Sequence, residues 1–423
     1  MLLRGRHFET GTLTDLRLEG DRIVAATPAD PALSPDLLVD WLSPPLCDIQ
    51  INGALGRSFT SPQLSLAEIR DVVAHCARHG IGPLLPTVVT SAPATLRHAF
   101  RTLAEAVATA PDLAAALPGF HLEGPYIAAA DGPRGAHPRE HVRLPDEAEF
   151  QELQRLAAGR IRLVTLAPEL PGALEFIRRR AAEGVVVALG HSAATPAEVQ
   201  AAVAAGARLS THLGNGAPRE LPRHPNLLWE QLGCDELWAS VIADDRHLPE
   251  AVLRCVVRCK TPRRLVLTCD VSPWGGMPPG VYGQWDQQVE VRAEGTVVLV
   301  GSGLLAGSWC FTDACIDALA RLGELGTPDL LALAVTRPRE LLGLPLPRLE
   351  AGAPADLLGF CATQAGGLAL TAGFHAGQRL GWPWWGRRKH QPAGGRGPLR
   401  RLESAATFGR IVRTAPATAA AGG

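Results

Sequence analysis

Five short apolar runs in this chain each stop at one acid or histidine. They are GFHL before Glu123, VVVALG before His191, RLST before His212, WASVIA before Asp244 and LVLTC before Asp270. Parallel strands that repeatedly finish in a metal-binding or proton-handling side chain suit an α/β barrel. Such a barrel assembles its active site from the C-terminal ends of several strands.

The rest of the chain supplies the remaining strands. Strand-length apolar runs lie at 47–51, 84–89, 118–122, 162–166, 185–190, 208–212, 238–242 and 265–269. Amphipathic segments such as SLAEIRDVVAHCARHG, TPAEVQAAVAAG and LPEAVLRCVVRCK separate them and predict helical crossovers. Eight strands with mostly helical connections predict a (β/α)8 TIM-type barrel over 47–349. Residues 1–46 alternate in short pieces around a Glu-Gly-Asp turn and predict the first part of a small β domain. Residues 350–383 regain β character and are expected to complete it from the far end of the barrel. The stretch GMPPGVYGQWDQQVEVRAEGTVVLVGSG reads as a hairpin insertion, followed by helices near 310–322, 328–335 and 337–343. The tail 384–423 is basic, has Glu403 as its single acid, and is rich in Gly, Ala and Pro; no packed structure is expected there.

Composition narrows the partners. A formal net charge of -1 argues against nucleic acid or a membrane surface as a partner of the body. Nine cysteines at scattered spacings give no disulfide framework. The MLLRGRHFETG start lacks a signal-peptide core, and no run approaches the ~20 apolar residues of a membrane span. A cytoplasmic protein is expected.

Glu123, His191 and His212 form the best ligand set: one carboxylate and two imidazoles suit zinc or a similar divalent ion and leave a position for water and substrate. Asp270 follows the eighth strand and is placed to move a proton. His121 shares a strand face with Glu123 and reads as a supporting or interior residue. His137 and His247, on loops after strands, are candidate donors to substrate. Asp244 opens the loop carrying His247 and is assigned no chemistry. Gly214, Asn215 and Gly216 could present backbone N–H groups to an anion, with Arg223 near in sequence, so a phosphate-bearing substrate fits. His75, His79 and His98 fall in helical stretches and are expected at the surface.

The ordered motifs LPTVVTS (85–91), GFHLEGPY (119–126), RGAHP (134–138), VTLAPE (164–169), GHSAAT (190–195), THLGN (211–215), IADDRHL (242–248) and LAGS (305–308) resemble the N-acetylglucosamine-6-phosphate deacetylase family of the amidohydrolase superfamily. The resemblance covers about residues 5 to 375. It implies metal ligands at Glu123, His191 and His212 and a catalytic acid/base at Asp270; His137 is in turn expected to stabilise the oxyanion of the tetrahedral state together with the metal. The resemblance further implies substrate contacts from Ala136 or His137, Asn215, Gly216, Arg223, His247, and Leu305, Ala306 and Gly307. It implies a small-molecule amino-sugar phosphate as substrate and a homodimer as the assembly.

Departures from the family pattern sharpen the expectation. Many amidohydrolases carry His-x-His after the first strand for a second metal; here DIQING puts Gln50 and Asn52 there. Neutral amides are poor zinc ligands, so one divalent ion, zinc, is expected. THLGNGAP, ADDRH and TCDVSP also differ from the family's usual segments and bear on which sugar is taken. Alternatives are an amidohydrolase for another N-acyl sugar or cyclic amide, and a barrel that binds without turnover.

Overall fold

The computed structural model describes residues 1–284 and 287–380. The tail at 384–423, expected to lack packed structure, lies outside the described residues.

All eight expected barrel strands form. They are β1 (Leu46–Ile51), β2 (Ile81–Val89), β3 (Phe120–Glu123), β4 (Ile161–Leu166), β5 (Val186–Leu189), β6 (Leu209–Ser210), β7 (Trp238–Val241) and β8 (Leu265–Leu267). They lie side by side in chain order as one eight-stranded sheet, every pairing parallel. Each strand is covered on both faces, which is why the runs read as continuously apolar rather than alternating. β1 is buried at all six positions. At the sheet's two edges, Ile51 at the end of β1 forms a parallel bridge with Val271, just past β8.

The crossover helices follow from local signals. Ser65 and Glu68 form a capping box at the start of the helix Leu66–Arg78, and Thr195 and Glu198 do the same for Pro196–Ala204. Leu253, Val256 and Val257 give the helix Glu250–Lys260 its buried stripe. In the first of these helices the buried stripe runs Ile69, Val72, Cys76 and takes in His75 as well.

Here the surface expectation for the helical histidines fails. His75 is 7% exposed. His79 is half-buried, stacks on Phe311 with ring centroids 4.1 Å apart, and pairs with Asp313 at 3.1 Å. His98 is half-buried with Nε2 3.0 Å from the Leu64 carbonyl. The helix Thr312–Arg321 and its entry residue Phe311 cover that face, a contact distant in sequence.

The segments on either side of the barrel, within 2–43 and 357–379, share one seven-stranded sheet. Leu357–Ala362 runs antiparallel to Leu37–Ser43, placing Phe360 opposite Trp41. The insertion after β8 forms three antiparallel strands, Gly280–Gln284, Gln287–Val291 and Val297–Leu299, around Trp274, Val289, Val291 and Val297. Helices Thr312–Arg321, Thr327–Val335 and Arg337–Leu342 follow as expected. No disulfide joins the cysteines of the described residues. Among the described residues no helix is long and apolar enough to cross a membrane.

Candidate active site

The strand ends converge at one mouth of the barrel. His191, His212 and Asp270 each follow a strand with left-handed backbone, at φ of 51°, 32° and 48°. Non-glycine residues pay about 1–2 kcal/mol each for that conformation, and such strain gathers where a side chain must be aimed. Gly124, after Glu123, has φ of 71°; a Cβ there would sit 2.2 Å from Thr90 Oγ1, so only glycine fits.

Glu123 Oε1 lies 3.2 Å from His191 Nε2 and 3.1 Å from His212 Nε2, and the two imidazole nitrogens are 3.1 Å apart. Three buried ligand atoms thus face one point. Tetrahedral zinc with bonds near 2.0–2.1 Å separates its ligands by about 3.3 Å, so this set fits a zinc-sized ion. His191 Nδ1 is 2.9 Å from the Pro133 carbonyl; donation there leaves Nε2 with its lone pair free to ligate. Glu169, the last residue of the VTLAPE segment, accepts from Ser192 Oγ (2.7 Å) and Ala193 N (2.6 Å), fixing the chain just past His191. Ser240 Oγ accepts from His212 N at 2.7 Å.

The amides at the His-x-His places have other partners. Gln50 Nε2 donates to Glu123 Oε1 at 2.9 Å, and Asn52 Nδ2 donates to Asp270 Oδ1 at 2.7 Å. Each acid of the site is therefore held by a neutral donor from β1 or its end. Sequence reasoning saw in these residues only lost ligands, and their orienting role was missed.

Burial opposes ionisation of Glu123, but the hydrogen bonds of His191 and His212 outweigh it and hold the carboxyl well below the usual range. Burial and then the Glu123 charge push Asp270 up to about 8. Burial and then the His191 charge bring His137 down to about 3, so its ring stays neutral. His247 is the opposite case. Its burial is outweighed by the bond from Nδ1 to Asp244 Oδ2 at 2.8 Å, and its pKa is raised. Asp244 also accepts from the backbone of Arg246 and His247, so it shapes the loop that presents His247.

These groups line a cavity of about 510 Å³. Of the expected substrate contacts, Ala136, His137, Asn215, Gly216, His247, Leu305, Ala306 and Gly307 all lie on its wall. His137 is buried, with Nδ1 2.8 Å from Thr90 Oγ1 and Nε2 3.2 Å from His191 Nε2. The 305–307 turn is pinned beside Asp270: Ser308 N donates to Asp270 O and Ser272 N to Ser308 O, both at 2.8 Å. Arg223 stands apart. It is exposed and absent from the cavity wall, where Arg219 is the arginine present. The segment between them has no helical or strand period from which the sequence could have separated the two. His121 lies beneath the ligands, bound to Thr165 Oγ1 at 2.8 Å and Thr87 Oγ1 at 3.3 Å, an interior role as expected.

A barrel with one carboxylate and two imidazole ligands, and an acid after strand eight, defines a hydrolase of the amidohydrolase type. No family model matches the chain. Curated relatives do. The chain is 32% identical over 384 residues to N-acetylgalactosamine-6-phosphate deacetylase of Escherichia coli O157:H7, covering 89% of this chain and 97% of that one. It is 34% identical over 331 residues to human N-acetylglucosamine-6-phosphate deacetylase, covering 75% and 78%. Among solved structures it superposes on a mutant N-acetyl-D-glucosamine-6-phosphate deacetylase from Mycobacterium smegmatis, in complex with N-acetyl-D-glucosamine-6-phosphate. That match has a TM-score of 0.79 at 30% identity, over 90% of this chain and 98% of that one. The chain belongs to the N-acetylglucosamine-6-phosphate deacetylase family.

Proposed function

We propose that the protein hydrolyses the acetamide of N-acetylglucosamine 6-phosphate, releasing acetate and glucosamine 6-phosphate. The observation that carries this is the juxtaposition of the Glu123, His191 and His212 cluster with Asp270 at the floor of one cavity. Glu123, His191 and His212 would hold one zinc ion, which when bound supplies Lewis acidity toward a carbonyl oxygen and water. Asp270 takes the proton of the attacking water and returns it to the departing nitrogen. Asn52 keeps the Asp270 carboxylate turned to the cavity by its 2.7 Å bond. His137, neutral, accepts from the Thr90 hydroxyl at Nδ1 and so carries its one N–H on Nε2, which donates to the oxygen that becomes negative in the tetrahedral state. His247, favoured in its charged form by Asp244, and the backbone at Asn215 and Gly216 receive the anionic sugar phosphate.

Two relatives' substrates differ only in the sugar, which favours a second reading for this chain: the galacto epimer as substrate. Of the altered segments, Gly214, Asn215 and Gly216 line the cavity where that choice would be made. Asp245 and Arg246, expected at the substrate mouth, are instead exposed and off the cavity wall, bonded to Arg321 and to the Glu294 carbonyl. A homodimer, implied by the family resemblance, and a cytoplasmic setting, which suits cysteines not joined in disulfides and a phosphorylated substrate, complete the proposal. The test is Asp270→Asn, which is expected to abolish acetate release while bound metal stays unchanged. Loss of the metal along with activity would make Asp270 a ligand and overturn its assigned role.

A further inference from the structure

The most completely bonded acid in the barrel is one the reaction does not use. Asp48, in the middle of β1, is fully buried. Its Oδ1 accepts from Gln50 N at 2.9 Å and from Thr268 Oγ1 at 2.5 Å. Its Oδ2 accepts from Cys269 N at 2.9 Å and from Thr312 Oγ1 at 2.6 Å. The donors come from β1 itself, from the chain leaving β8, and from the first turn of the helix Thr312–Arg321.

The place of these contacts gives them their meaning. β1 and β8 are the edges of the eight-stranded sheet, and no ladder joins them. Among the described residues the backbone meets only beyond β8, in the Ile51 to Val271 bridge, where Asn52 N donates to Val271 O, and in the bonds Leu55 N to Gly275 O and Gly56 N to Pro273 O. At this seam the Asp48 side chain supplies cross-strand bonds that ladders supply elsewhere. Asp270 directly follows Cys269 and holds a left-handed φ of 48°. Its donor Asn52 sits four residues past Asp48 on the other edge. The Asn52 to Asp270 bond therefore spans the seam that Asp48 closes.

We infer that Asp48 is a positioning residue for the reaction: by closing the seam between β1 and the segment after β8, it fixes Asp270 against Asn52. The bonding pattern requires a carboxylate. Each oxygen takes one backbone N–H and one hydroxyl. Hydroxyls can rotate to accept, but backbone N–H groups cannot. In Asp48→Asn either orientation of the amide sets its NH2 against one backbone N–H, leaving a buried donor without an acceptor.

This inference rests on the deacetylase reading only for its kinetic readout. Asp48→Asn and the milder Thr312→Val, which keeps both backbone bonds, are compared with wild type. The zinc-loaded proteins are assayed for acetate release from N-acetylglucosamine 6-phosphate well below their melting temperatures. Expected are kcat losses of about 30-fold and about 3-fold, with KM within about twofold of wild type. In an Asn52→Leu background the Asp48→Asn loss should shrink to about threefold, because both act through Asp270. Equal losses in the two backgrounds, or a rise in KM with kcat unchanged, would overturn the inference. Crystal structures of the same variants decide it without turnover. The 2.7 Å bond should lengthen or break, and its retention in both variants refutes the positioning role. A wild type that releases no acetate would sink the functional reading, while the crystallographic comparison still judges Asp48.

Discussion

Asn52→Leu removes one hydrogen bond at the centre of the proposed chemistry with little change in shape. Asn52 Nδ2 donates to Asp270 Oδ1 at 2.7 Å, while its Oδ1 has no partner among the described residues. Leucine thus deletes the bond and also removes a buried acceptor left unpaired, so thermal stability should hold or rise slightly. A hydrogen bond to a charged group contributes about 1.5–3 kcal/mol. At 1.36 kcal/mol per pKa unit, its loss raises the Asp270 pKa by about one to two units. The reaction needs Asp270 ionised, so the acid limb of the kcat profile moves to higher pH by that amount. One to two units below the limb, kcat falls about 10–100-fold, and it recovers as pH rises. The assay is acetate release at saturating substrate across the pH range, with bound metal measured in the same samples. A uniform loss at every pH, with the limb in place, would refute the reasoning and assign Asn52 to substrate rather than to Asp270.

Two further perturbations test the surroundings. His75 is held at about 4 by burial and then by the charges of His79 and Arg78, and neither ring nitrogen has a partner among the described residues. The unfolded chain binds the proton more tightly, so this contribution to stability is complete above about pH 6.5 and is lost as pH falls toward 4. His75→Leu should remove about 3 kcal/mol of acid sensitivity across that window, read by denaturant titration at several pH values; parallel wild-type and variant curves would refute it. Gly216 has φ of 59°, and a Cβ there would lie 3.0 Å from His191 Nδ1. Gly216→Ala should press the ring off its bond to the Pro133 carbonyl and raise the zinc dissociation constant about tenfold in a chelator competition; unchanged affinity would show the ring is held elsewhere.

The barrel was legible because its strands are buried on both faces and five of the eight lead to one acid or histidine at their end. Glu123, His191, His212 and Asp270 stood out for that reason. What the sequence hid depends on contacts between distant segments. Asp48 lies inside the run LCDIQI, and nothing near it in the sequence names its donors. An acid within a strand buried on both faces needs donors on every side, and that was the available signal. The burial of His75 depends on Phe311 and Gly276 arriving from after the eighth strand. The hold on His191 comes from a backbone carbonyl at Pro133, which carries no side-chain signature at all.

The account stands or falls on acetate. Metal-stripped protein incubated with N-acetylglucosamine 6-phosphate should be inactive, and adding one equivalent of zinc should restore release of one acetate per glucosamine 6-phosphate formed. Zinc-loaded protein that frees no acetate from this sugar phosphate or its galacto epimer would contradict the account.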